Sequence, residues 1–164
     1  MPDPLRILCI GGPPPDLGLS PWGPFTCEGV PTLDAAVEAL RQSQPDAILV
    51  RSPDADALER LLRWPALSQA VLESALVVAA PEPAVGPALK LLQRGAQDVL
   101  NGSLLGNESL GRRLRLAVER KRLEQAARKA YATDLATGLP NHAQLHEHMT
   151  HLLALREREP APMA

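Results

Sequence analysis

The sequence predicts an α/β fold in which a parallel, five-stranded sheet is covered by helices on both faces. Short apolar runs, each ended by glycine, proline or a polar residue, have the length of buried strands. Between them, leucine, valine and alanine repeat at helical spacing. Strands that alternate with helices form parallel sheets, whose functional crevice lies beyond the carboxyl ends of the strands. The residues at those strand ends are therefore the candidates for a functional site.

The first part of the chain predicts two strands and a helix. Leu5–Ile10 is an apolar run that glycine and proline end, as expected of a buried strand. Residues 11–24 are rich in proline and predict an irregular connection, with room for only a short helix at Asp16–Ser20. Phe25–Cys27 predicts a second, short strand. Thr32 is a good N-cap, so a helix is expected to begin directly after it.

The middle of the chain continues the alternation. Ala47–Val50 predicts a third strand, and Asp54 is expected to cap a helix that runs to about Arg63. Ala75–Ala80 predicts a fourth strand that a proline stops. The helix that follows is expected to end at Gly95, a residue suited to a left-handed C-terminal cap.

The last predicted elements are a short strand at residues 99–100 and a long helix. This helix is expected to run from Ser109 to about Ala132, since neither proline nor glycine lies between Gly111 and Ala132. Three apolar residues of the helix lie seven apart, which indicates one to two heptads and is only a weak sign of a coiled coil: Leu116, Leu123 and Ala130.

Composition excludes several classes of partner. The 164-residue chain has two tryptophans, one tyrosine and one phenylalanine, too few for a surface that stacks nucleic-acid bases. A net charge of -2 does not steer the chain to nucleic acid or a membrane. No run reaches the length of a membrane span, and no signal peptide is recognisable, so we expect a cytoplasmic protein. Cys9 and Cys27 are expected to be reduced and buried.

Two motifs resemble the receiver domains of response regulators. Residues 45–50, Pro-Asp-Ala-Ile-Leu-Val, resemble their third strand, and residues 95–100, Gly-Ala-Gln-Asp-Val-Leu, resemble the approach to their fifth strand. The order and separation of the motifs also fit, and the resemblance covers roughly residues 4–120. It implies a receiver-like (flavodoxin-like) parallel sheet followed by a long C-terminal helix.

The resemblance also implies a phosphoacceptor pocket whose chemistry this sequence lacks. The nucleophilic aspartate of the family aligns with Arg51, and its magnesium-binding acidic pair with Gly11 and Gly12. Its hydroxyl on the fourth strand aligns with Ala79, and its lysine after the fifth strand with Gly102. We therefore expect a degenerate, phosphorylation-independent pocket that holds no metal.

Two features of this pocket leave alternatives open. Asp54 and Asp56 are conceivable displaced phosphoacceptors. Their position is better explained by the helix that follows, which they would cap and whose first turn they would supply with negative charge. Arg51 either fixes the crevice through Glu82 or Asp54, binds an anionic ligand, or is simply a solvated residue at a strand end.

Residues 134–142, Asp-Leu-Ala-Thr-Gly-Leu-Pro-Asn-His, resemble the opening of a GGDEF domain, the catalytic unit of diguanylate cyclases. The resemblance implies that Asn141 contacts guanine and that Asp134 anchors a helical stalk to the catalytic body. Ala136 and His142 depart from the family pattern, which prefers leucine and often arginine there. The metal-binding aspartates and the catalytic loop do not follow before the last residue, so we expect a fragment of a longer protein.

The expected organisation has three parts: a receiver-like domain at 1–108, a stalk at 109–133 and the start of a GGDEF domain at 134–164. We expect no enzyme activity and no cofactor for this fragment, with Mg²⁺ and GTP belonging only to an intact GGDEF domain. The basic stretch at 112–122 is interpreted as a solvated helix face. Four histidines could form a metal site with Glu147, but we expect them to lie on a polar helix surface instead: His142, His146, His148 and His151.

The favoured hypothesis is a regulatory module of a cyclic di-GMP signalling protein. It would form a homodimer through the receiver-like domain and the stalk, with a further protein partner possible, and would control cyclase domains without phosphorylation. The first alternative is a sensor that binds a small anion or nucleotide in the crevice around Gly11, Gly12, Arg51 and Gly102. The second is a receiver that is phosphorylated at a displaced aspartate.

Overall fold

The computed structural model describes residues 2–104 and 106–132. Their elements are β1 (Leu5–Ile10), β2 (Phe25–Val30), α1 (Leu33–Gln42), β3 (Ala47–Arg51), α2 (Ala55–Leu62), α3 (Leu67–Glu73), β4 (Ala75–Ala80), α4 (Val85–Gln93), β5 (Asp98–Asn101) and α5 (Asn107–Ala132). The five strands form one parallel sheet in the order β2-β1-β3-β4-β5. The predicted α/β fold is thus confirmed, with its parallel sheet and its long C-terminal helix.

The sheet has an apolar core on each face because its strands alternate side chains between the two faces. Leu8 and Ile10 of β1 pack with α1, α2, α3 and α4 on one face. Ile7 and Cys9 pack on the other face, against the first half of α5. Strands β3 and β4 are buried along nearly their whole length, which explains their continuously apolar sequences.

The connection between β1 and β2 differs from the sequence expectation. Asp16–Ser20 forms no helix, and the described residues 11–24 are irregular, because prolines deprive the segment of backbone donors. The loop nevertheless covers the sheet face that it shares with α5. Leu17 is buried in that core, and the guanidinium of Arg112 in α5 lies 5.7 Å from the centre of the Trp22 ring. A proline-rich loop thus covers part of a sheet face that we expected helices to cover.

The sequence reading missed α3 and misplaced some element ends. Helix α3 is short and has no side-chain N-cap, so it gave little sequence signal, yet Leu67, Ala70 and Val71 are buried. Strand β2 continues to Val30 because its whole length pairs with β1. Helix α5 begins at Asn107 rather than at Ser109.

The predicted caps are confirmed. Thr32 Oγ1 accepts a hydrogen bond from the backbone N–H of Ala35 at 3.1 Å, and α1 begins there. Asp54 Oδ1 accepts one from the backbone N–H of Ala57 at 2.8 Å, which starts α2. Gly95 has a φ of 113° just beyond α4, the left-handed conformation that its place after the helix predicted.

Helix α5 has a buried and an exposed part. Leu114 and Ala117 are fully buried against the sheet, and residues 1–121 form one compact unit. From Arg122 to Tyr131 every described side chain is exposed, with Leu123 70% and Tyr131 73% exposed. The exposed apolar side chains of this helical stretch therefore need a functional explanation.

The two cysteines are free thiols on neighbouring strands. Cys9 is buried as expected, whereas Cys27 is only half-buried because β2 lies at the edge of the sheet. Burial raises the pKa of the Cys9 thiol to about 12, and the charge of a Cys27 thiolate adds to this effect. The Cys9 thiol therefore stays protonated at neutral pH and packs as an apolar group.

Several predictions of the sequence fall outside the described residues. Asp134, Asn141 and the four histidines are among these, as is the GGDEF-like segment as a whole. The domain limits at 108 and 133 likewise remain predictions. Among the described helices, none is both long enough and apolar enough to span a membrane.

The burial of α5 on the sheet can be tested by truncating one leucine. We expect Leu114→Ala to lower the free energy of unfolding by about 2–5 kcal/mol, because it leaves a cavity at a fully buried position. The control Leu19→Ala removes the same atoms from a fully exposed side chain and is expected to change stability by no more than about 0.5 kcal/mol. Urea unfolding followed by circular dichroism measures both, and equal losses would contradict the packing described.

Candidate functional site

The candidate site is the crevice beyond the carboxyl ends of β1, β3, β4 and β5. A cleft of about 360 Å³ opens there. Four of the five residues that the sequence pointed to line it, namely Gly11, Arg51, Ala79 and Gly102. Parallel strands bring their carboxyl ends to one edge, so residues distant in sequence meet at this place. The fifth residue, Gly12, lies against the side chain of Arg51.

Gly11 is required by the backbone at the end of β1. Its φ is 87°, and its N–H donates a hydrogen bond to the carbonyl of Val30 at 3.0 Å. A Cβ at this position would lie only 2.7 Å from the carbonyl oxygen of Arg51. Both the conformation and the space therefore call for glycine.

Arg51 occupies the space above Gly12. A Cβ on Gly12 would lie 3.0 Å from Arg51 Cδ and 3.5 Å from Arg51 Nη1. The side chain of Arg51 is half-buried, and neither Asp54 nor Glu82 forms an ion pair with it. Fixation of the crevice through either acid, one of the sequence interpretations, thus has no ion pair to support it among the described residues. The arginine lies over a glycine that leaves room for it.

The opposite wall of the cleft is made of small residues. A Cβ on Gly102 would approach the Cβ of Ala79 to 3.2 Å, closer than most contacts of this kind. The N–H of Ser52 donates to the carbonyl of Ala79 at 2.9 Å, which holds the ends of β3 and β4 together. Neither Ala79 nor Gly102 carries a group that could stabilise a phosphoryl oxygen.

Magnesium and a phosphoryl group, which the receiver fold implies, do not fit these residues. Among residues 2–104 and 106–132, Arg51 is the only one with a charged side chain that lines the cleft, and a guanidinium repels a divalent cation. Asp54 caps α2 and Asp56 lies in the first turn of that helix. In the described part of the chain, no three histidine, cysteine, aspartate or glutamate side chains are grouped so as to hold a metal ion.

The sequence reading missed a second cleft on the other side of Arg51. It has a volume of about 490 Å³ and lies between the start of α1 and the end of α2. Arg60, Arg63 and Trp64 line it together with Arg51. The only sequence signal was two arginines three residues apart near the end of a predicted helix, which is also common on solvated helix faces.

Comparison with known proteins supports the receiver fold. No protein-family model and no curated protein matches the sequence. Among solved structures, the signal receiver domain of a Luxo repressor protein from Vibrio parahaemolyticus has a TM-score of 0.57 and 21% identity, over 76% of this chain and 98% of that one. A CheY-like receiver domain protein from Methanospirillum hungatei has a TM-score of 0.56 and 13% identity, over 74% and 99%.

A third similar structure is described as an atypical orphan response regulator with a phosphorylation-independent regulatory mechanism. Its TM-score is 0.53 and its identity 19%, over 70% of this chain and 96% of that one. At such identities the likeness concerns the fold. The chain has the fold of response-regulator receiver domains, and Arg51 lies at the end of its third strand.

The requirement for glycine at residue 11 can be measured. We expect Gly11→Ala to lower the free energy of unfolding by about 1–3 kcal/mol, because it forces an unfavourable φ and a contact with a backbone oxygen. Gly86→Ala is the matched control, since a Cβ there meets nothing within 4 Å. It should leave stability unchanged or raise it by up to about 1 kcal/mol, as expected for alanine in a helix. Urea unfolding measures the free energy of unfolding of both variants. An unchanged value for Gly11→Ala would contradict the conformation and close contact described for Gly11.

Proposed function

We propose that this chain is a receiver-like regulatory module that works without phosphorylation and acts as a homodimer. In this proposal the module passes the geometry of the dimer through α5 to a GGDEF domain of a cyclic di-GMP signalling protein. The observation that carries the proposal is Arg51, a cation at the position where phosphoryl chemistry requires a nucleophilic carboxylate.

The surroundings of Arg51 support regulation by contacts rather than by phosphorylation. No acidic side chain lines the first cleft, and the arginine fills the space beside Gly12. The aspartates nearest in sequence, Asp54 and Asp56, lie in the cap and first turn of α2. The similar orphan response regulator with a phosphorylation-independent mechanism shows that this fold is compatible with such regulation.

Exposed leucines of α5 support the homodimer. Leu116 and Leu123 lie seven residues apart and are 40% and 70% exposed. Apolar residues at heptad spacing gain stability by packing against a second helix. A second copy of the chain supplies the same leucines on a matching helix.

The link to cyclic di-GMP rests on the sequence motif at 134–142. The motif follows α5 directly, as expected of a stalk that joins a regulatory domain to a GGDEF domain. Asp134 and Asn141 keep the roles that the resemblance implies, anchoring the stalk and contacting guanine. Two cyclase domains must face each other to join two GTP molecules, so a dimeric stalk offers direct control of that step.

The dimer is tested by sedimentation velocity of the 164-residue chain. We expect a dimer at high micromolar concentration and a monomer after Leu123→Glu, because a charge within a helix pair must lose its hydration. Leu19→Glu makes the same substitution at a fully exposed loop residue and is expected to leave the dimer intact. A monomeric wild-type chain, or equal behaviour of the two variants, would contradict dimerisation through α5.

Independence from phosphorylation is tested by incubating the chain with acetyl phosphate and Mg²⁺. We expect the intact mass to stay unchanged while a receiver domain that retains its aspartate gains one phosphoryl group in parallel. A Mg²⁺-dependent phosphoryl adduct that disappears in Asp54→Asn or Asp56→Asn would identify a displaced acceptor and overturn this part of the proposal.

A further inference from the structure

The second cleft combines features that the proposed regulatory function does not use. It lies between the start of α1 and the end of α2, beside the ends of β1 and β3. Its volume of about 490 Å³ is within the range of small-molecule sites, roughly 300–1,000 Å³. We propose that this cleft binds a small ligand that carries a phosphate group.

The charge of the lining favours an anion. Arg51, Arg60 and Arg63 line the cleft, and Asp34 is the one acidic side chain among its lining residues. The chain as a whole carries a net charge of -2, so this positive potential is local. A concave site lined by one sign of charge raises the local concentration of oppositely charged ligands.

The guanidinium groups of the three arginines have no partner among the described residues. None of these groups forms an ion pair or a hydrogen bond with another described side chain or carbonyl. By contrast, Arg113 contacts Asp98 at 3.0 Å and Arg115 contacts Glu119 at 3.3 Å. The guanidinium donors at the cleft are therefore available to a ligand, and their forked geometry suits phosphate oxygens.

Trp64 supplies an independent sign of a missing acceptor. Its side chain is 5% exposed and lines the cleft, and its Nε1 is buried without a hydrogen-bond partner. Buried donors in native proteins are almost always satisfied, so an unpaired one needs an explanation. The indole N–H is covered in this structure, so a ligand oxygen accepts its hydrogen bond only if this wall of the cleft moves when the ligand binds.

The start of α1 adds backbone donors to the same cleft. Thr32, Leu33 and Asp34 line it, and Thr32 caps the helix through the N–H of Ala35. The first N–H groups of a helix have no partner within the helix and carry a partial positive charge. Three side-chain cations and the residues of this helix start thus line one space, a donor set that favours phosphate over a singly charged anion.

The first cleft lacks this donor set, although it shares Arg51. Its other lining side chains are apolar or neutral, and it is the smaller of the two, at about 360 Å³. The two clefts meet at Gly11, Arg51, Ser52 and Pro53, and the proposed ligand lies on the side that Arg60, Arg63 and Trp64 line. The ligand is bound reversibly with no covalent step.

The site can be followed by NMR through the two indole N–H signals of the chain. Inorganic pyrophosphate is titrated into the ¹⁵N-labelled 164-residue protein at constant ionic strength. We expect the Trp64 signal to shift saturably, while Trp22, which stacks near Arg112 at the far face of the sheet, responds little. A sodium chloride titration over the same range measures the effect of salt alone.

Two double variants then test the arginines. Arg60→Gln with Arg63→Gln removes two exposed guanidiniums of the cleft, and the dissociation constant is expected to rise about tenfold or more. Arg94→Gln with Arg128→Gln removes two exposed guanidiniums elsewhere and should change it by less than about twofold. Thermal unfolding with pyrophosphate gives a second readout, since a ligand of the folded state raises Tm.

Three results would overturn the proposal. The first is an unshifted Trp64 signal at pyrophosphate concentrations up to roughly 10 mM. The second is an equal response of Trp64 to pyrophosphate and to chloride, which indicates screening alone. The third is an equal loss of affinity in both double variants, which indicates binding governed by net charge. None of these outcomes tests dimerisation through α5, which the sedimentation experiment tests separately.

Discussion

The constraint on which the candidate site depends is the packing of Arg51 over Gly12 at the end of the sheet. The register of β1 with β3 brings the two strand ends side by side, and Gly11 turns the chain sharply enough to clear the Arg51 carbonyl. The side chain of Arg51 then lies beside Gly12 and lines the cleft. Small residues at 79 and 102 form another wall without adding polar side chains. The arrangement joins a receiver fold to a cleft whose charge comes, among the described residues, from an arginine.

The two faces of the sheet are covered in different ways. Four helices cover one face, whereas α5 and the loop between β1 and β2 cover the other. The loop contributes Leu17 to the core and is tied to α5 by the contact of Arg112 with Trp22. Helix α5 packs into this core through Leu114. Farther along the same helix, Leu123 is exposed.

The sequence predicted all five strands and most of the helices, because continuous apolar runs and caps such as Thr32 and Asp54 are local signals. It failed at α3, which lacks a side-chain cap, and at residues 16–20, where prolines prevent the expected helix. The positions of Arg51 and Gly102 at one edge followed from strand order alone. The contact of Arg51 with Gly12 and the meeting of Arg63, Trp64 and α1 depend on side-chain placement in the folded chain, which no local pattern contains.

The contact between Arg51 and Gly12 also limits how this domain can evolve. A side chain at residue 12 would begin only 3.0 Å from Arg51 Cδ, so a substitution there requires the arginine to shift by a few tenths of an ångström. A shorter side chain at residue 51 would remove this obstacle. The residues that can occupy positions 12 and 51 are therefore coupled, and a change at one of them alters which changes the other tolerates.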